Sequence, residues 1–449
     1  MTTNLRRFPD LPTTLPQNLE FVLGLSPSAM TLGLGNIHAL LARLGNPERR
    51  FRSLVVAGTN GKGSVTAMVA SLLLHNGYRV GRFTSPHVYS VTERVCVDGE
   101  PVPLDEMEHA AARVTALRDE LTFSYFEALT AIAFLVFAER GVDYAVLETG
   151  LGGRFDATNA VEPVLSVITS ISLDHRRILG DSEEEILREK LGITRSGVSL
   201  LVGPLAGSLE AIVREKSRRD TFPVYSLGEI GTAELVGTGL NTTRVRIVTP
   251  LADYGVVELP FPGEHQAVNA LLAVGAAERI TGRLRNLGEA LGSAYLPGRF
   301  EVVEEEGKTF VLDVAHNDAA LAAAVAQLTA GTYRDDNALV FGLMRRKELF
   351  EFPKRVVAAV RRVYLIAPKG SDALAPAELL EKYFLGCTQN ADIDVILWNT
   401  AAGEGKDHWV RLLHHLKQAA NPCQRILITG SHHVVDQLGR RLLSPWEYD

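Results

Sequence analysis

The stretch Gly58-Thr59-Asn60-Gly61-Lys62-Gly63-Ser64 constrains this chain more than any other. It follows the apolar run Ser53-Leu54-Val55-Val56-Ala57, which reads as a strand. It precedes Val65 to Leu74, whose apolar spacing and closing Gly77 read as a helix. A Gly-rich turn at such a junction lets backbone N–H groups converge on phosphate oxygens, and the start of the helix adds its positive dipole end. Lys62 would sit on the outer phosphates of a nucleotide, and the Ser64 hydroxyl could reach a magnesium ion. The spacing is shorter than that of the common phosphate loop, because only Thr59 and Asn60 separate Gly58 from the Gly61-Lys62 pair. The competing reading is a tight turn with chance glycines, and the Lys and Ser in strand-then-helix context weigh against it.

A strand feeding a helix through such a turn belongs in an α/β fold, and the rest of the chain keeps that rhythm. Tyr78 to Ser85 reads as a short strand, Phe126 to Arg140 as a buried helix and Asp143 to Thr149 as the strand after it. Pro163 to Leu173 is another strand, followed by an acidic helix from Ser182. The stretch from Leu201 to Pro262 is less regular and is expected to supply added antiparallel strands. His265 to Ile280 returns to a helix. At Leu296-Pro297-Gly298 the alternation restarts, and a Pro-Gly pair between two α/β patterns suits a linker. The expected architecture is an N-terminal, P-loop ATPase-like domain (1–296) with a mostly parallel sheet, then a smaller Rossmann-like α/β domain (297–449).

Composition narrows the function classes. Hydrophobic residues are 46% and charged residues 22% of 449, an ordinary globular balance. The net charge of −7 and the lack of a dense basic stripe argue against nucleic acid. Cys96, Cys387 and Cys423 form no metal-ligand spacing. The most apolar run, Ala128 to Ala138, falls short of the ~20 residues that span a bilayer, so a core helix is expected and no membrane partner. The N-terminus has no apolar signal core. A cytoplasmic monomer is the expectation.

Several side chains look chemical. Glu148 closes a strand beside the phosphate loop, where a carboxylate can hold magnesium or serve as a solvated cap. His175 follows an apolar strand and reads equally as a loop residue. Lys190 ends the acidic helix, where a lysine commonly interacts with the dipole. Gly152-Gly153-Arg154-Phe155-Asp156 reads as a loop beside the metal position, with Phe155 offering a flat face for stacking.

Four stretches in order resemble the dihydrofolate synthase/folylpolyglutamate synthase family of the Mur-ligase superfamily. They are the Gly58–Ser64 loop, Thr84-Ser85-Pro86-His87 with Glu93-Arg94, Glu148 to Asn159 (ETGLGGRFDATN), and Asp313-Val314-Ala315-His316-Asn317. The likeness runs from about Leu32 to Ser431, most of a chain of two-domain size. It implies an ATP-dependent ligase that joins L-glutamate to dihydropteroate, or to a reduced folate carrying glutamate, through an acyl phosphate. It places Gly61, Lys62, Gly63, Ser64, Asn269, Arg299 and Asp313 around ATP. It gives two magnesium ions to Ser85, Glu148, His175 and Lys190, the lysine being carbamylated. It puts Thr31, Leu32, Gly33, Ser124, Tyr125, Phe126, Glu127, Phe155, Asp156 and Ala157 against the pterin. Lys62 and His316 are the expected catalytic residues, with His316 near either the phosphoryl group or the incoming glutamate.

The chain departs from the family pattern at Arg176-Arg177 after His175, at Leu191, at Glu348 after Lys347, and at Ser431-His432-His433. The last two fall at the glutamate end. The His432-His433 doublet reads as loop chemistry rather than a metal pair, since adjacent side chains seldom converge on one ion. Two other readings stand beside the folate one. A Mur-type ligase acting on a cell-wall precursor shares the ATP chemistry, but only about fifty residues precede the loop, few for an added nucleotide-sugar domain. A non-catalytic nucleotide-binding regulator is disfavoured by the presence of Lys62, Glu148 and Arg299.

Overall fold

The computed structural model describes residues 15–25, 33–370, 372–388, 392–398, 407–418 and 421–443. Eight strands build the first sheet: β1 Arg52–Ala57, β2 Val80–Phe83, β3 Val95–Val97, β4 Glu100–Pro101, β5 Tyr144–Glu148, β6 Pro163–Ile168, β7 Ser199–Val202 and β8 Val224–Tyr225, in the order β4-β3-β2-β5-β1-β6-β7-β8. From β2 to β8 neighbouring strands are parallel; β3 and β4 add an antiparallel edge.

The centre of this sheet is covered on both faces, so its strands read as continuous apolar runs. Strand β1 divides its residues by alternation. Leu54 and Val56 join a core with Val65, Met68 and Leu72 of the helix Lys62–His75 and with Leu271 and Val274 of the helix His265–Thr281. Val55 and Ala57 face the other way, toward Leu129, Ile132 and Phe137 of the helix Tyr125–Arg140. That helix is apolar all round because it is buried all round. Gly141 ends it in the left-handed conformation. Among the described residues no helix is long and apolar enough to cross a membrane.

The segment from Leu201 to Pro262 is only partly as expected. Strands β9 Thr232–Thr238, β10 Thr243–Val248 and β11 Asp253–Leu259 form an antiparallel sheet in the order β11-β10-β9. Before them β8 extends the first sheet, and a helix occupies Gly207–Asp220. Sequence periodicity did not reveal that helix, since it buries only Leu209 and Val213 and its apolar stripe is narrow. Strand β6 is also shorter than its sequence suggests. It stops at Ile168, and Thr169 to Ser172 leave the sheet.

The third sheet comprises β12 Glu301–Glu305, β13 Lys308–Leu312, β14 Asn337–Phe341, β15 Arg362–Ile366, β16 Asp394–Trp398 and β17 Arg425–Thr429, in the order β12-β13-β17-β14-β15-β16. Only β12 runs antiparallel to its neighbour. The Leu296-Pro297-Gly298 segment lies between the second and third sheets. One loop of the N-terminal half reaches into the C-terminal core: Val88 and Tyr89 pack with Val303, Leu312, Val435 and Leu438.

Candidate active site

The loop after β1 is shaped to receive an anion. Gly61 caps the helix Lys62–His75 at φ 86°, with no side-chain hydrogen bond to the helix end. The first N–H groups of that helix therefore remain available to a ligand. A Cβ at Gly61 would lie 2.6 Å from Asn269 Oδ1, so only glycine lets the helix His265–Thr281 approach this closely. The loop is held from behind by hydroxyls. Thr169 Oγ1 and Ser170 Oγ donate to Asn60 O at 2.6 and 2.9 Å, and Ser170 Oγ accepts from Asn60 N at 3.0 Å. These contacts explain why Thr169 to Ser172 leave the sheet.

Lys62 Nζ donates to the carbonyls of Gly58 and Thr59, both at 3.1 Å. Burial lowers its pKa, while Glu148 and Asp174 pull the other way. Beside it, an atom built at the Cβ position of Gly63 would lie 3.4 Å from Glu148 Oε2 and 3.6 Å from an Arg299 terminal nitrogen. The helix start, Lys62, Glu148, Asn269 and Arg299 thus meet at one point. Ser64 is buried in the first turn.

Glu148 ends β5 and is buried, accepting from Ser85 N at 3.1 Å. Burial raises its pKa, and the charges of Lys62 and Arg299 lower it. A buried carboxylate next to a serine suits a hard cation, so these residues fit magnesium. Lys190 is also buried. Its Nζ crosses to Gly58 O at 2.8 Å instead of turning to the carbonyls of its own helix. Burial, reinforced by Lys62, lowers its pKa to about 7. The Gly152-Gly153 loop fixes this lysine's position: a Cβ at Gly153 would lie 2.9 Å from Lys190 O, and Arg154 N donates to Glu189 O at 2.9 Å.

A second group spans the two halves of the molecule. Asp174 Oδ1 accepts from Lys347 Nζ at 2.9 Å, and Lys347 Nζ lies 3.1 Å from His175 Nε2. Asn317 Nδ2 reaches Asp174 Oδ2 at 3.2 Å and Asn60 Oδ1 at 3.1 Å. His316 Nε2 lies 3.9 Å from Asp174 Oδ2. Burial works to raise the Asp174 pKa, but Lys347, His175 and His316 outweigh it and hold the carboxyl well below its usual range. Burial and then Lys347 lower His175 to about 4 and His316 to about 3. Asp313 points inward and accepts from Phe300 N and Ala315 N, each at 2.8 Å. Its burial raises its pKa, with Arg299 opposing.

The residues expected at the pterin are distributed unevenly. Thr31 and Leu32 lie outside the described residues; Gly33 precedes the helix Gly35–Arg43, and a Cβ built on it would meet none of the described residues within 4 Å. Ser124 and Glu127 form a reciprocal capping box, which opens the helix Tyr125–Arg140. Phe126 lies under the Glu148–Asn159 loop, its ring 2.6 Å from where a Gly150 Cβ would be. Tyr125 lies under the Arg94 guanidinium, 5.6 Å from ring centroid to carbon. Phe155 is 39% exposed, with the Arg154 guanidinium 4.9 Å from its ring centroid. Asp156 is buried and spends both oxygens locally, on Leu151 N at 2.8 Å and on Thr158 N and Oγ1 at 3.0 and 2.6 Å. Ala157 is buried beside it.

The departures from the family pattern also have places. Arg176 pairs with Asp181 at 3.0 Å, and Arg177 with Glu348 at 3.8 Å across the two halves. His432 and His433 begin the helix His432–Leu443, their rings 4.0 Å apart. Burial, then His433 and His316, lowers His432 to about 3. The sequence reading singled out His175 but not Asp174 as a site residue, and took Thr169 to Ser172 as strand. The run of hydroxyls in Thr169-Ser170-Ile171-Ser172 was the available signal for a loop clamp.

The chain is similar to known proteins over most of its length. Residues 56–277 match the Mur ligase middle domain, and residues 298–432 match the Mur ligase glutamate ligase domain. A dihydrofolate synthase/folylpolyglutamate synthase of Bacillus subtilis is 33% identical over 91% of this chain and 95% of its own length. The Escherichia coli protein of the same name is 30% identical over 96% of each. Among solved structures, Escherichia coli FolC in complex with DHPP and ADP aligns at TM-score 0.78 and 28% identity, over 95% of this chain and 98% of that one. Mycobacterium tuberculosis folylpolyglutamate synthase, complexed with ADP and AMPPCP, aligns at TM-score 0.75 and 29% identity, over 92% and 95%. On these matches, made over most of its length, the chain belongs to the dihydrofolate synthase/folylpolyglutamate synthase family of ATP-dependent ligases.

Proposed function

We propose that this ligase joins the amine of L-glutamate to the carboxylate of dihydropteroate, of a folyl-glutamate, or of both. The observation that carries the reading is the meeting of Lys62, Glu148, Asn269 and Arg299 around an open helix N-terminus. Such a point suits the β- and γ-phosphates of ATP.

Carboxylates do not condense with amines unaided. Transfer of the γ-phosphoryl group to the substrate carboxylate makes an acyl phosphate, the glutamate amine attacks its carbonyl carbon, and inorganic phosphate leaves. Lys62 would leave the carbonyls of Gly58 and Thr59 for the phosphoryl oxygens, and Arg299 would meet them from the C-terminal side. Ser85 and Glu148, with His175 and Lys190, would hold magnesium, which when bound neutralises phosphate charge. Carbamylation of Lys190 needs a neutral amine, and its pKa of about 7 supports a large neutral fraction near pH 7. The product carbamate is an oxygen ligand, which magnesium prefers. His316 is the candidate to accept the amine proton. Its Nδ1 lies 2.9 Å from Val314 O, which directs Nε2 toward the cleft. Closure of the two halves through Asp174, Asn317 and Lys347 would exclude water from the acyl phosphate.

The test is purified protein with ATP, magnesium and labelled glutamate, offered dihydropteroate or tetrahydrofolate in turn. ADP release matched by label incorporation is expected with at least one acceptor. No incorporation with either would overturn the folate reading, and incorporation into a nucleotide-linked cell-wall precursor would replace it.

A further inference from the structure

The turn Leu296-Pro297-Gly298-Arg299-Phe300 joins the two halves and carries Arg299 to the phosphate loop. Its backbone is not relaxed. Gly298 has φ 63°, and Phe300 has φ 53°, a left-handed conformation that aromatic residues avoid. Such a backbone persists only where its surroundings over-determine it. Phe300 N donates to Asp313 Oδ2 at 2.8 Å, and Val314 N donates to Gly298 O at 3.0 Å. Both partners lie in the C-terminal half, so neither ties the turn to the N-terminal half.

Glu301 supplies that tie. It opens β12, and its carboxylate gathers three donors. Oε2 accepts from Gly298 N and from Tyr89 Oη, each at 3.2 Å, and Oε1 accepts from Tyr295 Oη at 3.1 Å. Tyr295 lies just before the turn. Tyr89 comes from the loop between β2 and β3, which begins near Ser85, whose N–H meets Glu148. The loop's tip is buried in the C-terminal core, where a Cβ at Gly439 would lie 2.5 Å from Tyr89 Oη. Glu93 shapes the tip by accepting from the N–H groups of Val88, Tyr89 and Ser90 at 2.8, 2.7 and 2.6 Å. One carboxylate therefore links the turn that carries Arg299 to the loop that carries Ser85.

We propose that Glu301 is a positioning residue for phosphoryl transfer: by holding Gly298, Tyr295 and Tyr89 together, it aims Arg299 at the γ-phosphate of ATP. The proposal rests on the Arg299 role given under the proposed function. Arg299 lies two residues from Glu301 and one from Gly298, so a change at the carboxylate reaches it through the turn itself. A misplacement of about 1 Å is enough to weaken a preorganised contact. Glutamine at 301 would offer one oxygen to three donors, because its amide nitrogen cannot accept.

The test is calorimetric titration of the full chain with Mg2+ and either ADP or a methylene-bridged ATP analogue. Glu301→Gln should weaken the analogue about tenfold and change ADP by less than about threefold, since ADP lacks the phosphate that Arg299 meets. Arg299→Ala should show the same selective loss, and the double variant should bind the analogue no more weakly than Arg299→Ala alone. Tyr89→Phe keeps the ring in its core and removes only the hydroxyl, so it should show a selective loss of about threefold. Equal losses for both nucleotides, additive losses in the double variant, or wild-type analogue binding in Glu301→Gln would overturn the proposal. Wild-type binding in Arg299→Ala would overturn it together with the Arg299 role. If Glu301→Gln does not fold, Tyr89→Phe decides by the same comparison. Neither acceptor nor glutamate is present, so this proposal can fail while the folate reading stands, and the reverse.

Discussion

Two strand–loop–helix units meet across the site, and they end their strands in opposite ways. After β1, the loop Gly58–Gly61 leads into the helix Lys62–His75 with no side chain on the helix end. After β13, the loop Asp313–Asn317 leads into the helix Asp318–Thr329, and Asn317 Oδ1 caps it by accepting from Ala320 N at 3.0 Å. The first helix start is open to a ligand; the second is closed by its own residue. Asp313 repeats the pattern, spending its carboxylate on Phe300 N and Ala315 N. One unit leaves its helix start without a side-chain cap, and the other fixes its own with Asn317. The Asn317–Asn60 hydrogen bond at 3.1 Å joins the two.

The sharpest way to break this contrast is to remove the cation from the open loop. Lys62→Ala should lower kcat by about 10²–10³-fold, the usual cost of deleting one preorganised donor to a transition state. The measurement is ADP release at saturating substrates, with a thermal melt confirming the fold. Near-wild-type turnover in a folded variant would mean that phosphate is held elsewhere.

A second prediction concerns what the open loop does to Lys190, which reaches Gly58 O at 2.8 Å. Its pKa in the folded chain is about 7, lowered by burial and then by Lys62, whereas in an unfolded chain it stays near the ordinary lysine value of about 10.5. Between those values the unfolded chain binds more protons, so stability rises with pH. The contribution is at most about 1.4 kcal/mol per pH unit. Urea denaturation from pH 7 upward, in CO2-free buffer, should show a slope that Lys190→Met reduces. An identical slope in both proteins would place the lysine in a solvated environment and uncouple it from the loop.

How much of this was legible in the sequence follows the range of the contacts. The open loop could be read directly, because its strand, glycines, lysine and helix are adjacent. So could Glu148, at the end of its own apolar strand. The helix Gly207–Asp220 could not, with only Leu209 and Val213 buried to mark its inner face. The hydroxyl clamp at Thr169 and Ser170 acts on Asn60 from over a hundred positions away, and no local period records it. Lys347 and Asp174 are 173 positions apart, and Asn317 and Asn60 are 257 apart. Such pairs exist only once both sheets have formed and turned the carboxyl ends of their strands toward each other. The family motifs supplied the names of several residues on these surfaces, but not which side chain meets which.

The closed unit yields the smallest effect and the finest test of the contrast. Asn317→Ala removes the cap from the helix Asp318–Thr329, a loss worth about 1 kcal/mol of stability. It also removes the donor to Asn60 and Asp174, at 3.1 and 3.2 Å. Asn317→Ser separates the two roles, since serine caps a helix well but is too short to keep both cross-domain bonds. If the closed unit is there mainly to hold shape, serine should restore most of the stability in urea. Coupling between the halves, read as the protection of Asn60 and Asp174 amides from hydrogen exchange, should stay low in both variants. Full protection in Asn317→Ser would show that the cap alone organises the interface, and that the second helix start differs from the first in occupancy only.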